Sequence, residues 1–159
     1  MKLTTLIPAI TTALFLSNSI TYAGDIQKMN QTEKNVYSTI ENMTDAFHKG
    51  DIKGVMGSYE AQATVVFEPN KPASDMDQIR QMFEGAFQMN PAFTYSGHDV
   101  IVTGDIALHI APWQMKGKAP NGTEIVQSGI SVAVLRQQPD GSWRMVIDNP
   151  HGQILMENK

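Results

Sequence analysis

The chain of 159 residues contains no cysteine. That excludes a thiolate nucleophile, a zinc–thiolate centre and a disulfide framework. It also excludes lipid attachment through a cysteine. Charge is sparse too: 18% of residues are charged and the formal net charge is -4. A nucleic-acid binder needs a basic face, and this composition does not supply one. No run of like charges marks a tail or a membrane-surface patch. No glycine-rich phosphate loop comes after a predicted strand, and no serine sits in a nucleophile elbow. His48, His98, His109 and His151 lack the i, i+4 spacing of a zinc helix. The ten methionines are scattered, so they read as core filler and not as a metal-binding tract. Neither metal nor cofactor is expected.

A long apolar run is also missing. Residues 6–16 form a short apolar core behind Lys2, and Asn18 and Ser19 break it off. Such a stretch cannot span ~30 Å of hydrocarbon. With Thr21-Tyr22-Ala23 at its end it reads as a secretory signal over residues 1–23. The mature chain would begin near Gly24, in the periplasm or outside the cell, with no membrane span. Residues 24–31 are polar and read as flexible, and 153–159 as a tail. That leaves 32–152, enough for one domain with a sizeable core.

Within it, Thr32 is a candidate cap for a first helix carrying Val36, Ile40, Met43 and Phe47 on one face. Gly50 ends that helix. Asp51 caps a short second one with Ile52, Val55, Met56 and Tyr59 along one side. Residues 63–67 are β-branched and apolar, so a strand. Residues 68–73, with Pro69 and Pro72, read as a loop. Ser74 or Asp75 caps a third helix carrying Ile79, Met82, Phe83, Ala86 and Phe87, which Asn90-Pro91 stops.

From Phe93 to His151 the chain reads as three or four antiparallel strands. The turns are Thr103-Gly104-Asp105, Pro120-Asn121-Gly122 and Pro139-Asp140-Gly141. Side chains alternate across a strand. In residues 106–115 one face carries Ile106, Leu108 and Ile110, and the other Ala107, His109, Ala111, Trp113 and Met115. In 124–136, Val126, Ile130, Val132 and Val134 oppose Gln127, Gly129, Ser131 and Ala133. In 142–149, Trp143, Met145 and Ile147 oppose Arg144, Val146 and Asp148. Helices gathered on one side of an antiparallel sheet define an α+β domain. Helices can cover only one face. The aliphatic face of Ile106, Leu108, Ile110, Val126, Ile130 and Val132 is expected to pair with a second copy as a homodimer.

Three stretches resemble a known family. Phe47-His48-Lys49-Gly50-Asp51 followed by Tyr59-Glu60-Ala61-Gln62-Ala63-Thr64-Val65 resembles the opening of the SnoaL-like and DUF4440 families. These belong to the NTF2-like superfamily, which includes ketosteroid isomerase. Val102-Thr103-Gly104-Asp105-Ile106-Ala107 is similar to their hairpin, and Asp140-Gly141-Ser142-Trp143-Arg144-Met145-Val146 to their closing strand. The resemblance covers residues 32–152. It implies a curved sheet wrapped around helices, a conical pocket and frequent dimers. It does not imply one activity, because relatives include isomerases, cyclases, dehydratases, epoxide hydrolases and association domains. The isomerase pattern of one tyrosine and two aspartates cannot be laid on this chain position by position.

Strand parity, and the carboxylate and imidazole crowded at the end of the last strand, nominate the site. His109 and Asp148 are the candidate acid–base groups. Tyr59, Trp113, Gln127, Ser131, Asn149 and His151 are candidate ligand contacts, around a small and largely apolar molecule. Asn149-Pro150-His151-Gly152 is equally what a turn looks like. A bulge would change which of these last side chains point inward. Trp143 belongs to the core by its parity. Two readings stay open: cofactor-free isomerase, hydratase or hydrolase chemistry, or a non-catalytic binding or self-association module.

Overall fold

A computed structural model of the chain describes residues 23–157. Of the expected signal segment, residues 1–22 lie outside the described residues. The fold is α+β. Helix α1 spans Ala23–Lys28, α2 Gln31–His48, α3 Ile52–Gly57, α4 Met76–Phe87 and α5 Ile154–Glu157. Strands β1 (Tyr59–Glu68), β2 (Lys71–Ala73), β3 (Ala92–Tyr95), β4 (Asp99–Thr103), β5 (Ile106–Lys118), β6 (Glu124–Gln137) and β7 (Trp143–Asn149) form a single sheet. Its order is β2-β1-β7-β6-β5-β3, with β4 also on β5. None of the helices among the described residues is long and apolar enough to cross a membrane.

Local chemistry sets the helix ends. The cap of α2 is Asn30 and not Thr32. The Asn30 side chain accepts from the Glu33 amide, and the Glu33 carboxylate accepts from the Asn30 amide. This reciprocal pair satisfies two amide donors where a lone threonine would satisfy one. Gly50 comes next at φ 66, the left-handed conformation that glycine enters without cost. Asp51 and Asp75 cap α3 and α4 through the amides of Gly54 and Gln78. Residues 24–31, read as flexible, carry α1, and the tail carries α5.

The strands are longer and more numerous than alternation suggests. Tyr59 is not the end of a helix; it opens β1. The stretch read as a loop after β1 is a hairpin, with Asn70 at φ 63 making the turn into β2. The meander contains five strands. β5 is paired by β4 over residues 106–110 and by β3 over residues 113–116. Pro112 sits between the two and has no amide to donate; its carbonyl accepts from the Ser96 amide. The three turn glycines, Gly104, Gly122 and Gly141, all have positive φ.

The inner face of the sheet carries Ala107, Ala111, Trp113, Met115, Ala133, Leu135, Trp143 and Met145, all buried. Helices α2 and α4 cover it with Val36, Ile40, Phe47, Ile79 and Phe83. Each such large side chain contributes roughly 1.5–3 kcal/mol on burial. The outer face carries one aliphatic residue on each of four adjacent strands in register: Ile101, Leu108, Val134 and Ile147. Ile101 is 54% exposed and Ile147 45%.

Parity alone puts Ile147 on the face of Trp143 and Met145, and the structure does not. Leu135 pairs with Met145 and Val134 with Ile147, which leaves Val146 without an opposite number on β6. This bulge reverses the alternation. Beyond it Ile147 faces out and Asp148 faces in.

Candidate functional site

The site is built on that reversal. The parallel pairing of β1 with β7 brings the two ends of the domain together, with Val65 opposite Asp148. Asp148 is only 9% exposed and accepts a hydrogen bond of 2.7 Å from the Tyr59 hydroxyl. Burial raises its pKa. The Tyr59 hydrogen bond and the neighbouring His151 pull it down by less. Tyr59 is pushed well above the ordinary phenol value, first by burial and then by the Asp148 charge. Both effects keep the proton on the tyrosine.

Asp148 lines a cavity of about 200 Å³ between the inner sheet face and the helices. Most of the wall is apolar: Met43, Phe47, Phe83, Met89, Phe93, Met115 and Met145. The aromatic part holds itself together edge to face, with Phe47 at 5.8 Å from Phe83 and 5.5 Å from Phe93. Polar groups are few. They are Asp148, His151, Gln127, Ser131, Thr44 and Tyr95. The Thr44 and Tyr95 hydroxyls lie 3.2 Å apart and hydrogen-bond each other. Burial raises the Tyr95 pKa, so its hydroxyl stays a donor at neutral pH.

The mouth is shaped by the turn after β7. Trp113 forms part of the wall and donates its Nε1–H to the Pro150 carbonyl at 2.9 Å. The His151 Nε2 lies 3.1 Å from the Phe67 carbonyl, which fixes the proton on that nitrogen. Gly129 makes room for this turn. A Cβ there would stand 2.8 Å from the Pro150 carbonyl oxygen and 3.0 Å from the Trp113 ring. The Gln153 side chain then accepts from the Ile130 amide, and the Gly152 amide donates to the Ile130 carbonyl. The turn and the residues after it complete the edge of β6 where β7 has ended.

Of the residues nominated from the sequence, the structure brings Asp148, Trp113, Gln127, Ser131 and His151 to this cavity. Tyr59 stands behind Asp148 and reaches the cavity only through it. The Asn149 side chain is spent on the turn, accepting from the His151 amide. His109 faces inward as parity predicts but does not line the cavity. It is fully buried, with Nε2 at 2.9 Å from Nδ1 of His98 and with Nδ1 unpartnered. Burial, and then the neighbouring His98, lower its pKa to about 3. His109 therefore stands outside the wall of this cavity. Tyr95 and Thr44 escape the parity argument. Tyr95 is detectable only by register, as the β3 residue opposite Trp113, and Thr44 lies on the helix face next to Ile40 and Phe47. Among the described residues, no cluster of three or more histidine or carboxylate side chains is arranged to hold a metal.

The model of the SnoaL-like domain family matches residues 40–144. The chain belongs to that family. Several solved structures share the fold of this SnoaL-like domain. A ketosteroid isomerase-like protein from Erwinia carotovora atroseptica superposes with a TM-score of 0.65 at 17% identity, over 76% of this chain and 95% of that one. A candidate dehydratase from the NTF2-like family of Streptomyces avermitilis gives 0.66 at 17%, over 74% and 93%. A candidate calcium/calmodulin-dependent protein kinase II association domain from Xanthomonas campestris gives 0.64 at 17%, over 72% and 82%. No curated protein matches the sequence. The three neighbours carry three different descriptions at nearly equal similarity. They establish the NTF2-like fold of this SnoaL-like domain and leave its activity to be argued from the site.

Proposed function

We propose that this SnoaL-like protein binds a small, largely apolar molecule in the conical cavity and moves a proton on it, with Asp148 as the catalytic base. The observation that carries this reading is one buried carboxylate in an otherwise apolar wall. A space of about 200 Å³ lined by phenylalanine and methionine is a poor site for water. Asp148 with its raised pKa is a better-matched base near neutral pH than an ordinary carboxylate. Its role is to take a proton from carbon next to a carbonyl and return it elsewhere on the bound molecule. The Tyr95 hydroxyl, aligned by Thr44, donates to the oxygen on which charge develops. Tyr59 holds the Asp148 carboxylate in place. No step needs a cofactor.

The test needs no knowledge of the natural substrate. Small apolar cyclic ketones and enones are incubated with the protein in D2O, and deuterium uptake beside the carbonyl is followed by NMR. The unaltered protein accelerates uptake, and Asp148→Asn slows it by about 10²-fold or more, the usual scale of a lost general base. Binding of the same compounds without any accelerated exchange would leave the second reading, a non-catalytic binding module.

The apolar row on the outer sheet face supports a homodimer in which two such faces pack together. Lys2, the apolar residues 6–16 and Ala23 support export with cleavage before Gly24. Amino-terminal sequencing of protein recovered from its native host decides the latter, and a chain that still starts at Met1 counts against it.

A further inference from the structure

The pair of His98 and His109 lies outside the cavity, one contact away from a residue that lines it. His109 is on β5, and its Nε2 is 2.9 Å from Nδ1 of His98 in the bend between β3 and β4. The His98 ring stands between two tyrosine rings, 4.8 Å from Tyr37 and 5.1 Å from Tyr95. Tyr37 is tied down on α2 by Glu41, which accepts from its hydroxyl at 3.2 Å. Tyr95 is the cavity residue, with its hydroxyl on Thr44. It closes β3, a strand of four residues whose partner in the sheet is β5. Just beyond it the Ser96 amide donates to the Pro112 carbonyl, and the His98 ring meets His109. These two bonds hold the end of β3 against β5.

The histidine bond has a direction. His109 is fully buried, and its Nδ1 has no partner. A proton on that nitrogen would be an orphaned buried donor, which folded proteins rarely keep. The proton therefore sits on Nε2, and His109 donates to the Nδ1 lone pair of His98. Burial lowers the pKa of both rings, and the charge of Glu41 raises that of His98 by less. Both rings are thus neutral at pH 7, as the bond requires. Packing alone does not explain the pair. An apolar side chain of similar size at position 109 would leave no buried nitrogen unpaired. What it could not do is hold the His98 ring at one place and angle.

We propose that His98, held by His109, is a positioning residue for Tyr95: its ring fixes the tyrosine ring, so that the hydroxyl stays aimed into the cavity. The inference rests on Tyr95 as the donor in the proton transfer proposed above. Such a donor is most effective when it need not move as charge develops. Thr44 restrains the hydroxyl through one hydrogen bond, about which a phenol can still swing. The His98 ring beside it takes away that freedom. A misplacement of about 1 Å at a reacting centre costs up to about 10²-fold in rate, so the restraint is worth a buried histidine.

The experiment compares two substitutions at His109. His109→Leu fills the buried space without a donor, and His109→Gln keeps an N–H where Nε2 stood. In protein with ¹³C-labelled tyrosine, the Tyr95 ring signals are assigned with Tyr95→Phe. They should shift or broaden in His109→Leu and stay in place in His109→Gln. Deuterium uptake by cyclohexanone should turn over about tenfold more slowly in His109→Leu at an unchanged KM, and His109→Gln should restore most of it. The thermal midpoint of His109→Leu should be no lower than that of the unaltered protein, because the unpartnered nitrogen is gone. A role in stability alone would give the reverse, a lower midpoint with full turnover. His98→Ala, at a half-buried position, removes the ring itself and should shift the same Tyr95 signals. Unmoved Tyr95 signals in His109→Leu and His98→Ala, or equal turnover in His109→Leu and His109→Gln, overturn the proposal. If the unaltered protein exchanges no deuterium, the proton-transfer reading fails on its own, and the Tyr95 signals still decide whether the histidine pair sets the ring.

Discussion

Two buried groups with opposite electrostatics govern how stability depends on pH. His109 has its pKa lowered to about 3 by burial and then by His98, whereas the unfolded chain titrates near 6.5. The folded state therefore refuses a proton that the unfolded state accepts. The stability this implies is complete above pH 6.5 and is lost as pH falls towards 3, by about 5 kcal/mol at the acid limit. The urea midpoint should fall steeply across that window in the unaltered protein and less steeply in His109→Gln. An unchanged slope would remove His109 as the cause. Asp148 works the other way. Its pKa is raised above 3.8, so the folded state holds a proton more firmly than the unfolded chain does. Stability then decreases as pH rises through the raised pKa. The amide of Asp148→Asn can still accept from Tyr59 and carries no charge to desolvate. Its thermal midpoint at pH 7 should equal or exceed that of the unaltered protein. A fall of more than about 4 °C, roughly 1–2 kcal/mol for a chain of this size, would show that the Tyr59 bond to the carboxylate outweighs the cost of burying it.

The bulge at Val146 is the element on which the site depends. Inserting one alanine between Ile147 and Asp148 undoes that reversal and turns Asp148 to the outer face. That variant should keep the far-UV circular dichroism of the sheet and lose accelerated deuterium exchange completely. Retained exchange would mean that another group takes the proton. The same element marks how far the sequence can be read. Pairing of β5 with β6 is unbroken over more than ten residues, so the inner face of Ala107, Trp113, Ala133 and Leu135 is legible, as are the glycine turns. A seven-residue strand with a bulge in its middle gives too few positions for parity to register a reversal. Asp148 stands out for its chemistry, although its parity places it with Arg144. The β1–β7 pairing is illegible for another reason. It joins strands far apart in sequence and in parallel, without a turn to announce it. Tyr59 looks helical because it continues the apolar face of Ile52, Val55 and Met56 for one more step. His98 gives no signal, being a single residue in the bend between β3 and β4, and its pairing with His109 comes from three-dimensional packing alone.

At the scale of the whole molecule, the outer sheet face leaves Ile101 and Ile147 about half exposed in one copy of the chain. Static light scattering at micromolar concentration should give the mass of a homodimer. Leu108→Lys, in the middle of the Ile101–Leu108–Val134–Ile147 row, should give a monomer that keeps its cavity. A monomer mass for the unaltered protein would remove the dimer. The order of strands has a different kind of consequence. Tyr59 and Asp148 touch, yet they are 89 positions apart. Closing a loop of that length costs ~4 kcal/mol of chain entropy before contacts offset it. A ribosome at 5–20 residues per second delivers Tyr59 roughly 4–18 s ahead of Asp148. Throughout that interval β1 has β2 on one side and nothing on the other. The nascent chain thus lacks both its closed sheet and its carboxylate until synthesis is almost over. Under the export proposed above, with the chain threaded through a membrane in extended form, this late closure holds it open while it waits.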